Sequence, residues 1–428
     1  MSTRIAVISE HASPLAGVGG VDGGGQNVYV AQTARELARS GFAVDVFTRR
    51  DDANVPAIAP MSRGVRVFHV DAGPPASVRK EELLPYMSQF ARRVARVVRD
   101  ARRDGQPYAL AHAHFFMSGL VARHVKKTLG LPYVVTFHAL GRVRLLHQAQ
   151  DAFPPERGAI EQLVIDHADA IVAECPQDRA DLQTHYRTPG SRVRMIPCGY
   201  DPVELGPTDR AAARRALGLP AHRPIILQLG RMVPRKGVDD VIRAAAIVRR
   251  RHGMRPLLLV VGGETRQPDV NATPEIGRLM RIAADEGIAE DVRFVGRRDR
   301  RELRRYYGAA DVFVTMPWYE PFGITPVEAM ACALPVVGAR VGGVKYSVQD
   351  GRTGFLVAPR DTDALARRLA YLFSNPAVAR LLGERGRERA RQHFTWRSVA
   401  QSLADLYADV ATTATPLPAP VTHALARG

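Results

Sequence analysis

Short apolar runs alternate with amphipathic stretches along the chain, a pattern that predicts strands and helices stacked in parallel α/β layers. Strands are predicted at 5–8, 43–48, 64–70, 108–113, 132–137, 170–174 and 193–196. A helix spans about 27–40 and ends at Gly41 as its C-cap, a long basic amphipathic helix covers 80–103, and a further helix starts near Ser118. Residues 197–207 are rich in Pro and Gly and read as a linker. The alternation then restarts, with strands at 225–229, 256–261, 292–295, 312–315 and 335–338. The intervening helices are 238–250, 275–286, 300–308 and a short one after Thr325, and further helices lie between about 361 and 411. Residues 412–428, rich in Ala, Thr and Pro, read as a flexible tail. The expected architecture is α/β, with two doubly wound domains over 1–200 and 207–395 whose strand carboxyl ends face each other across a cleft.

Composition narrows the class. An apolar content of 46% and a charged content of 24% over 428 residues are those of a globular protein. The first residues turn polar too quickly for a secretory signal, and no apolar run approaches the roughly 20 residues of a membrane span, so a cytoplasmic location is expected. Cys175, Cys198 and Cys332 are few and scattered, which fits buried thiols better than a disulfide framework or a metal cluster. The net charge of +17 raises the question of nucleic acid. All but five of the 60 basic residues are arginines, however, which reads as compositional bias. Arg92-Arg93…Arg96…Arg99 and Arg297-Arg298…Arg300-Arg301 read as solvated helix faces, and no nucleic-acid-binding signature accompanies them. Phosphorylated small molecules or an anionic membrane surface account for the charge equally well.

The candidate chemistry gathers at predicted strand ends. Glu320-Pro-Phe-Gly-Ile-Thr-Pro-Val-Glu328 places two carboxylates around a Gly turn and a helix start. Carboxylates accept hydrogen bonds from sugar hydroxyls, and helix N-terminal amides suit phosphate. The same letters also form a capping box, with Thr325 as N-cap and Glu328 reaching back. Residues 17–27 carry many glycines between the first strand and the first helix, which allows backbone amides to approach a phosphate or sugar. Their spacing departs from the dinucleotide fingerprint. Gln26 and Asn27, at the helix entrance, either bind hydroxyls or cap the helix. Arg231 and Lys236 follow the first strand of the second half in a Gly/Pro loop, placed to converge on a diphosphate. His138 ends a first-half strand as a candidate polar or proton-handling group, while His112 and His114 read as structural.

Taken together, Arg231…Lys236-Gly, Glu320-Pro-Phe-Gly…Glu328-Ala-Met-Ala, Gly342-Gly-Val344 and Asp350-Gly-X-X-Gly354-Phe-Leu-Val resemble the family-4 retaining glycosyltransferases of the GT-B fold, built from two Rossmann-like domains. Gly24-Gly25-Gln26-Asn27-Val-Tyr-Val, Lys80-Glu-Glu-Leu-Leu-Pro85 and His138-Ala-Leu-Gly-Arg142 look like sucrose-phosphate synthases and the mycothiol glycosyltransferases. The resemblance implies catalytic roles for His138, Arg231, Lys236 and Glu320. Donor contacts would come from Gly24, Gly25, Arg231, Lys236, Arg297, Glu320, Phe322, Gly323, Ile324, Thr325 and Glu328, with the base read by backbone near Gly296 and Arg297. Acceptor contacts would come from Gln26, Asn27, Lys80, Phe115 and Arg157, of which Lys80 and Arg157 match phosphate-binding positions. The resemblance implies no metal, no cofactor beyond a nucleoside diphosphate sugar (UDP foremost), and a last helix near 396–411 that crosses back onto the first domain.

Phe115 and Ala139 stand where the mycothiol enzyme is expected to carry a tyrosine and a threonine, and losing both hydroxyls argues against inositol phosphate. The leading reading is hexose transfer to a phosphorylated sugar or polyol. The alternatives are a membrane-peripheral enzyme acting on a lipid or polysaccharide precursor, motivated by the basic 80–103 segment, and a non-catalytic nucleotide-sugar-binding protein. The oligomeric state is left open.

Overall fold

The computed structural model describes residues 2–16, 24–148 and 152–413. The predicted glycines at 17–23 and the tail beyond Thr413 lie outside these residues. Two α/β units follow one another. The first sheet contains β1 (Arg4–Ile8), β2 (Ala43–Arg49), β3 (Ile58–Ser62), β4 (Val65–Val70), β5 (Tyr108–His114), β6 (Tyr133–Thr136), β7 (Ala170–Ala173) and β8 (Val193–Met195), in the order β3-β4-β2-β1-β5-β6-β7-β8. The second contains β9 (Ile225–Leu229), β10 (Leu257–Val261), β11 (Val292–Gly296), β12 (Val312–Thr315), β13 (Val336–Ala339) and β14 (Gly354–Val357), ordered β11-β10-β9-β12-β13-β14.

Among these strands every pairing is parallel except β3 on β4. β3 was not legible in the sequence, because Pro60 demotes a strand pattern and is tolerated here only at the sheet edge. The central strands are buried on both faces, as in Ile5–Ile8 and Ile225–Leu227, which is why they read as continuous apolar runs. Strand order reverses beside β1 and again beside β9. The carboxyl ends of β1, β5, β9 and β12 therefore border a crevice at each switch point.

Several boundaries differ from expectation. The basic helix does not run from 80: Lys80–Glu82 and Leu84–Tyr86 are single 3-10 turns, and the α-helix is Met87–Arg103. Pro85 lacks the amide that a helix interior requires. The Met87–Arg103 helix buries Phe90, Val94 and Val98, so its apolar face belongs to the core and only its arginine face looks outward. Helices Gly141–His147, Arg157–His167, Pro176–Tyr186 and Arg210–Ala216 lie in stretches where no helix was predicted.

Trp396–Thr413 crosses back from the second unit and packs on the Gly25–Arg39 helix, with the Trp396 ring edge-on to Tyr29 at 5.5 Å. The outgoing and returning chains meet where Tyr200 donates to Phe394 O (2.8 Å) and Trp396 donates to Tyr200 O (3.1 Å). Gly199 permits this approach, since a Cβ there would lie 2.7 Å from the Trp396 nitrogen. One apolar core, with members such as Val134, Ile225 and Trp396, is continuous between the two sheets.

Candidate active site

The facing strand ends enclose a cavity of about 600 Å³ bordered by both units. On the second unit, β9 delivers Arg231 and Lys236. Gly237 (φ 62) closes their turn, and a Cβ there would come within 2.0 Å of Met316 O. Lys236 Nζ donates to the Glu320 carboxylate, which arrives on the loop after β12. Burial pushes the Lys236 ammonium down to about 8, with Arg235 and Arg231 adding to the effect against the pull of Glu320. Burial works against charge on Glu320 as well, but Lys236 and Arg235 hold its carboxyl below the ordinary range. Three cations thus surround one carboxylate, a surplus that suits an anion.

The Glu320 segment is clamped from behind. Gly343 donates to Glu320 O (3.2 Å) and Pro321 O (3.1 Å), and a Cβ on Gly343 would lie 2.3 Å from Phe322 backbone atoms. The Gly-Gly pair at 342–343 is therefore a steric requirement of the carboxylate's position. Phe322 borders the cavity, while its ring is buried against Phe394.

The capping box expected at Thr325 is not formed. The helix is Ile324–Ala331 with Gly323 (φ 86) as N-cap, so Thr325 lies inside its first turn. Glu328, 1% exposed, turns to Arg300 Nη1 (2.9 Å) and the Tyr307 hydroxyl (2.9 Å). Arg300 in turn donates to Glu204 of the linker (2.8 Å). This also corrects the solvated reading of the 297–301 arginines: Arg300 borders the cavity as a partner of two carboxylates. Arg297 borders it too, but its amide already donates to Thr265 O (2.7 Å) and Gly296 O already accepts from Gly262 (3.1 Å), so these two groups are engaged within the protein.

On the first unit, Gly24 and Gly25 open the Gly25–Arg39 helix toward the other domain. A Cβ on Gly24 would stand 3.7 Å from Arg231 Nε, and one on Gly25 3.5 Å from Ile324 Cδ1. Two helix N-termini, Gly25 and Ile324, thus face a common space with their amides and positive dipole ends. Asn27 takes the capping option: its Oδ1 accepts from Gly24 (3.0 Å) and its Nδ2 donates to Ser13 O (3.0 Å). Gln26 borders the cavity and donates to Ser9 Oγ (3.2 Å).

His138 follows β6 in a left-handed conformation, φ 57. Its Nδ1 meets Glu174 Oε1 at 2.9 Å and its Nε2 meets His114 Nδ1 at 3.0 Å. A carboxylate only accepts, so Nδ1 carries the proton, and a single proton lies between the two imidazoles. The proton-handling role considered for His138 therefore meets a ring whose two nitrogens are engaged within the protein. Burial pushes His114 well below the ordinary range and His112 down to about 3, so both rings are neutral at pH 7. His112 contacts the Tyr407 hydroxyl (2.5 Å) and Thr136 Oγ1 (2.8 Å). Glu174 was missed in the sequence, although it lies just beyond the carboxyl end of β7, the edge of a parallel sheet that faces the crevice.

The acceptor-side expectations divide. Lys80 and Phe115 border the cavity; Phe115 carries an unusual φ of 81. Arg157 does not border it. Its guanidinium is 3% exposed, donates to Glu161 (2.8 Å) and Ala139 O (2.6 Å), and lies against the Phe115 and Phe153 rings. Arg144, His147 and Gln148 of the neighbouring Gly141–His147 segment border the cavity instead.

Comparison with known proteins agrees with this architecture. The family descriptions Glycosyltransferase Family 4 and Glycosyl transferases group 1 match residues 23–204 and 209–389. The chain is 37% identical over 409 residues to the D-inositol 3-phosphate glycosyltransferase 2 of Catenulispora acidiphila, covering 94% of each chain. It is also 37% identical to the D-inositol 3-phosphate glycosyltransferase of Saccharomonospora viridis, covering 94% of this chain and 93% of that one. The sucrose-phosphate synthase structure from Thermosynechococcus elongatus superposes with a TM-score of 0.86 at 34% identity, over 96% of this chain and 99% of that one. Anabaena HepE, solved with UDP-glucose, shares the fold alone at 19% identity and a TM-score of 0.71, over 95% of this chain and 99% of that one. The chain belongs to the group 1 glycosyltransferases of GT-B fold and is a transferase enzyme.

Proposed function

We propose that the protein transfers a hexose, with retention, from a UDP-sugar to a phosphorylated sugar or polyol. The observation that carries this reading is the convergence of Arg231, Lys236 and two helix N-termini on one cavity that also holds Glu320 and Glu328. The cations and amides neutralise the diphosphate as the sugar–phosphate C–O bond breaks. The acceptor oxygen forms its bond on the face that the diphosphate leaves, and its proton passes to a departing phosphate oxygen. Glu320 accepts from the sugar hydroxyls and Glu328 from the ribose.

Lys80 and Arg144 favour a phosphorylated acceptor, since both cations border the first-unit side of the cavity. Curated relatives are named for inositol 3-phosphate and a solved relative for sucrose phosphate, which supports the phosphate and leaves the polyol open. Phe115 and Ala139 place no side-chain hydroxyl on that wall, which favours an acceptor other than inositol phosphate.

Thermal-shift screening with nucleotide sugars, followed by product mass spectrometry across inositol phosphates and hexose phosphates, tests the reading. A UDP-sugar should stabilise the protein, and Lys236→Ala should lower transfer to every acceptor by at least a hundredfold. Normal turnover in that variant removes the diphosphate role. A chelator should leave the rate unchanged.

A further inference from the structure

Tyr319 directly precedes Glu320 in the chain, yet its ring leaves its own domain. It stacks on His147, with centroids 5.3 Å apart and planes 12° from parallel, and packs against the apolar core of the first unit. Its backbone stays at home: Tyr319 O accepts from Arg235 Nη1 at 3.1 Å, and Trp318 donates to Arg235 O at 2.9 Å. Burial first, then Asp178 and Asp181 of the Pro176–Tyr186 helix, push the phenol well up, while Arg235 and the Leu140 amide oppose them. The ring thus sits among first-unit groups on several sides.

The neighbouring contacts point the same way. Pro321 O accepts from Cys175 Sγ (3.2 Å), and Lys345 Nζ donates to Gln177 Oε1 (2.7 Å). The segment that carries Glu320 is therefore anchored in one domain and docked on the other. His147 ends the short helix whose Arg144 borders the cavity, and Gln148, which follows it, borders the cavity too. A displacement of that wall bears on Tyr319 through the stacked ring and on Glu320 one residue later. Glu320 in turn holds Lys236.

We infer that Tyr319 is a positioning residue that couples the acceptor-side wall to the donor carboxylate through its stack on His147. With the stack formed, Glu320 and Lys236 are held for transfer and water is kept from the donor. With the stack broken, the wall loosens, acceptor binding weakens and a larger share of donor is lost to water. This rests on the glycosyl-transfer reading above.

The test uses the full chain and UDP as probe, so it needs no identified acceptor. Trp318, one of only two tryptophans, adjoins Tyr319 and reports on the segment by fluorescence. UDP should change that signal in the wild type, and Tyr319→Ala and His147→Ala should each abolish the change even at UDP concentrations that saturate the variant. Tyr319→Phe keeps the stacking ring and should restore the response. Once an acceptor is in hand, Tyr319→Ala should raise its KM at least tenfold and raise the hydrolysed share of donor. The Tyr319→Ala/His147→Ala double variant should be no worse than either single one. A wild-type response in Tyr319→Ala, or additive losses in the double variant, would overturn the coupling. A wild type that binds no UDP would overturn the transfer reading and, with it, this one.

Discussion

Lys236 sets a pH dependence that is specific in sign. Burial lowers its ammonium to about 8 in the free protein, and a bound diphosphate favours the protonated form. The complex therefore holds a proton that the free site releases above pH 8, so UDP affinity should fall as pH rises through that value. Titration calorimetry should show a Kd nearly constant from pH 6.5 to 7.5 and weakening by up to about tenfold per unit above 8. Lys236→Arg, which stays charged, should flatten the profile. Arg300 is the other informative residue. In the sequence it is one arginine among several in a run, and nothing in the letters separates it from the exposed Arg301 beside it. Tertiary packing gives it Glu328 and Glu204 as partners. Removing it leaves Glu328 buried at 1% exposure without its cation, so Arg300→Met should cost about 3–5 kcal/mol in denaturant unfolding. A loss under 1 kcal/mol would show that the pair contributes little.

At the scale of elements, the Ile324–Ala331 helix shows how a motif can be legible while its geometry is not. The Thr-Pro-Val-Glu spacing is that of a capping box, but Gly323 at φ 86 starts the helix two residues earlier. Glu328 is drawn instead to Arg300 (2.9 Å) and the Tyr307 hydroxyl (2.9 Å), whose charge-assisted bonds satisfy a buried carboxylate that a single backbone amide would leave underpaired. The Gly342–Gly343 pair was recognisable only as a motif. Its cause is the 2.3 Å separation that a Cβ on Gly343 would have from Phe322 backbone atoms. Gly343→Ala should shift the Glu320 segment and weaken UDP binding at least tenfold by calorimetry, with the far-UV dichroism spectrum retained. Unchanged binding would mean that the segment has slack.

Over the whole molecule, the two sheets share one core because the Trp396–Thr413 helix returns to the first unit. Trp396 is 1% exposed and packs on Tyr29, whose ring also lies edge-on to His138 at 5.0 Å. Trp396→Ala should therefore cost about 3–5 kcal/mol. Calorimetry should show the first unit losing stability along with the second, whereas a change confined to one transition would mean that the domains unfold independently.

The sequence by itself determined the α/β alternation, because strands buried on both faces must be continuously apolar and the helices between them amphipathic. It also marked Arg231, Lys236, Glu320 and Glu328 as candidates, because charged residues in a Gly/Pro loop after a strand, or on the helix that follows, stand out by identity and spacing. It could not reveal partners distant along the chain. Arg157 faces inward to Glu161, His138 is held between Glu174 and His114, and Tyr319 reaches His147 in the other domain. Those arrangements depend on which strand ends the sheet order brings together, and on desolvation that forces each buried charge to find a partner. Only the tertiary structure decides either.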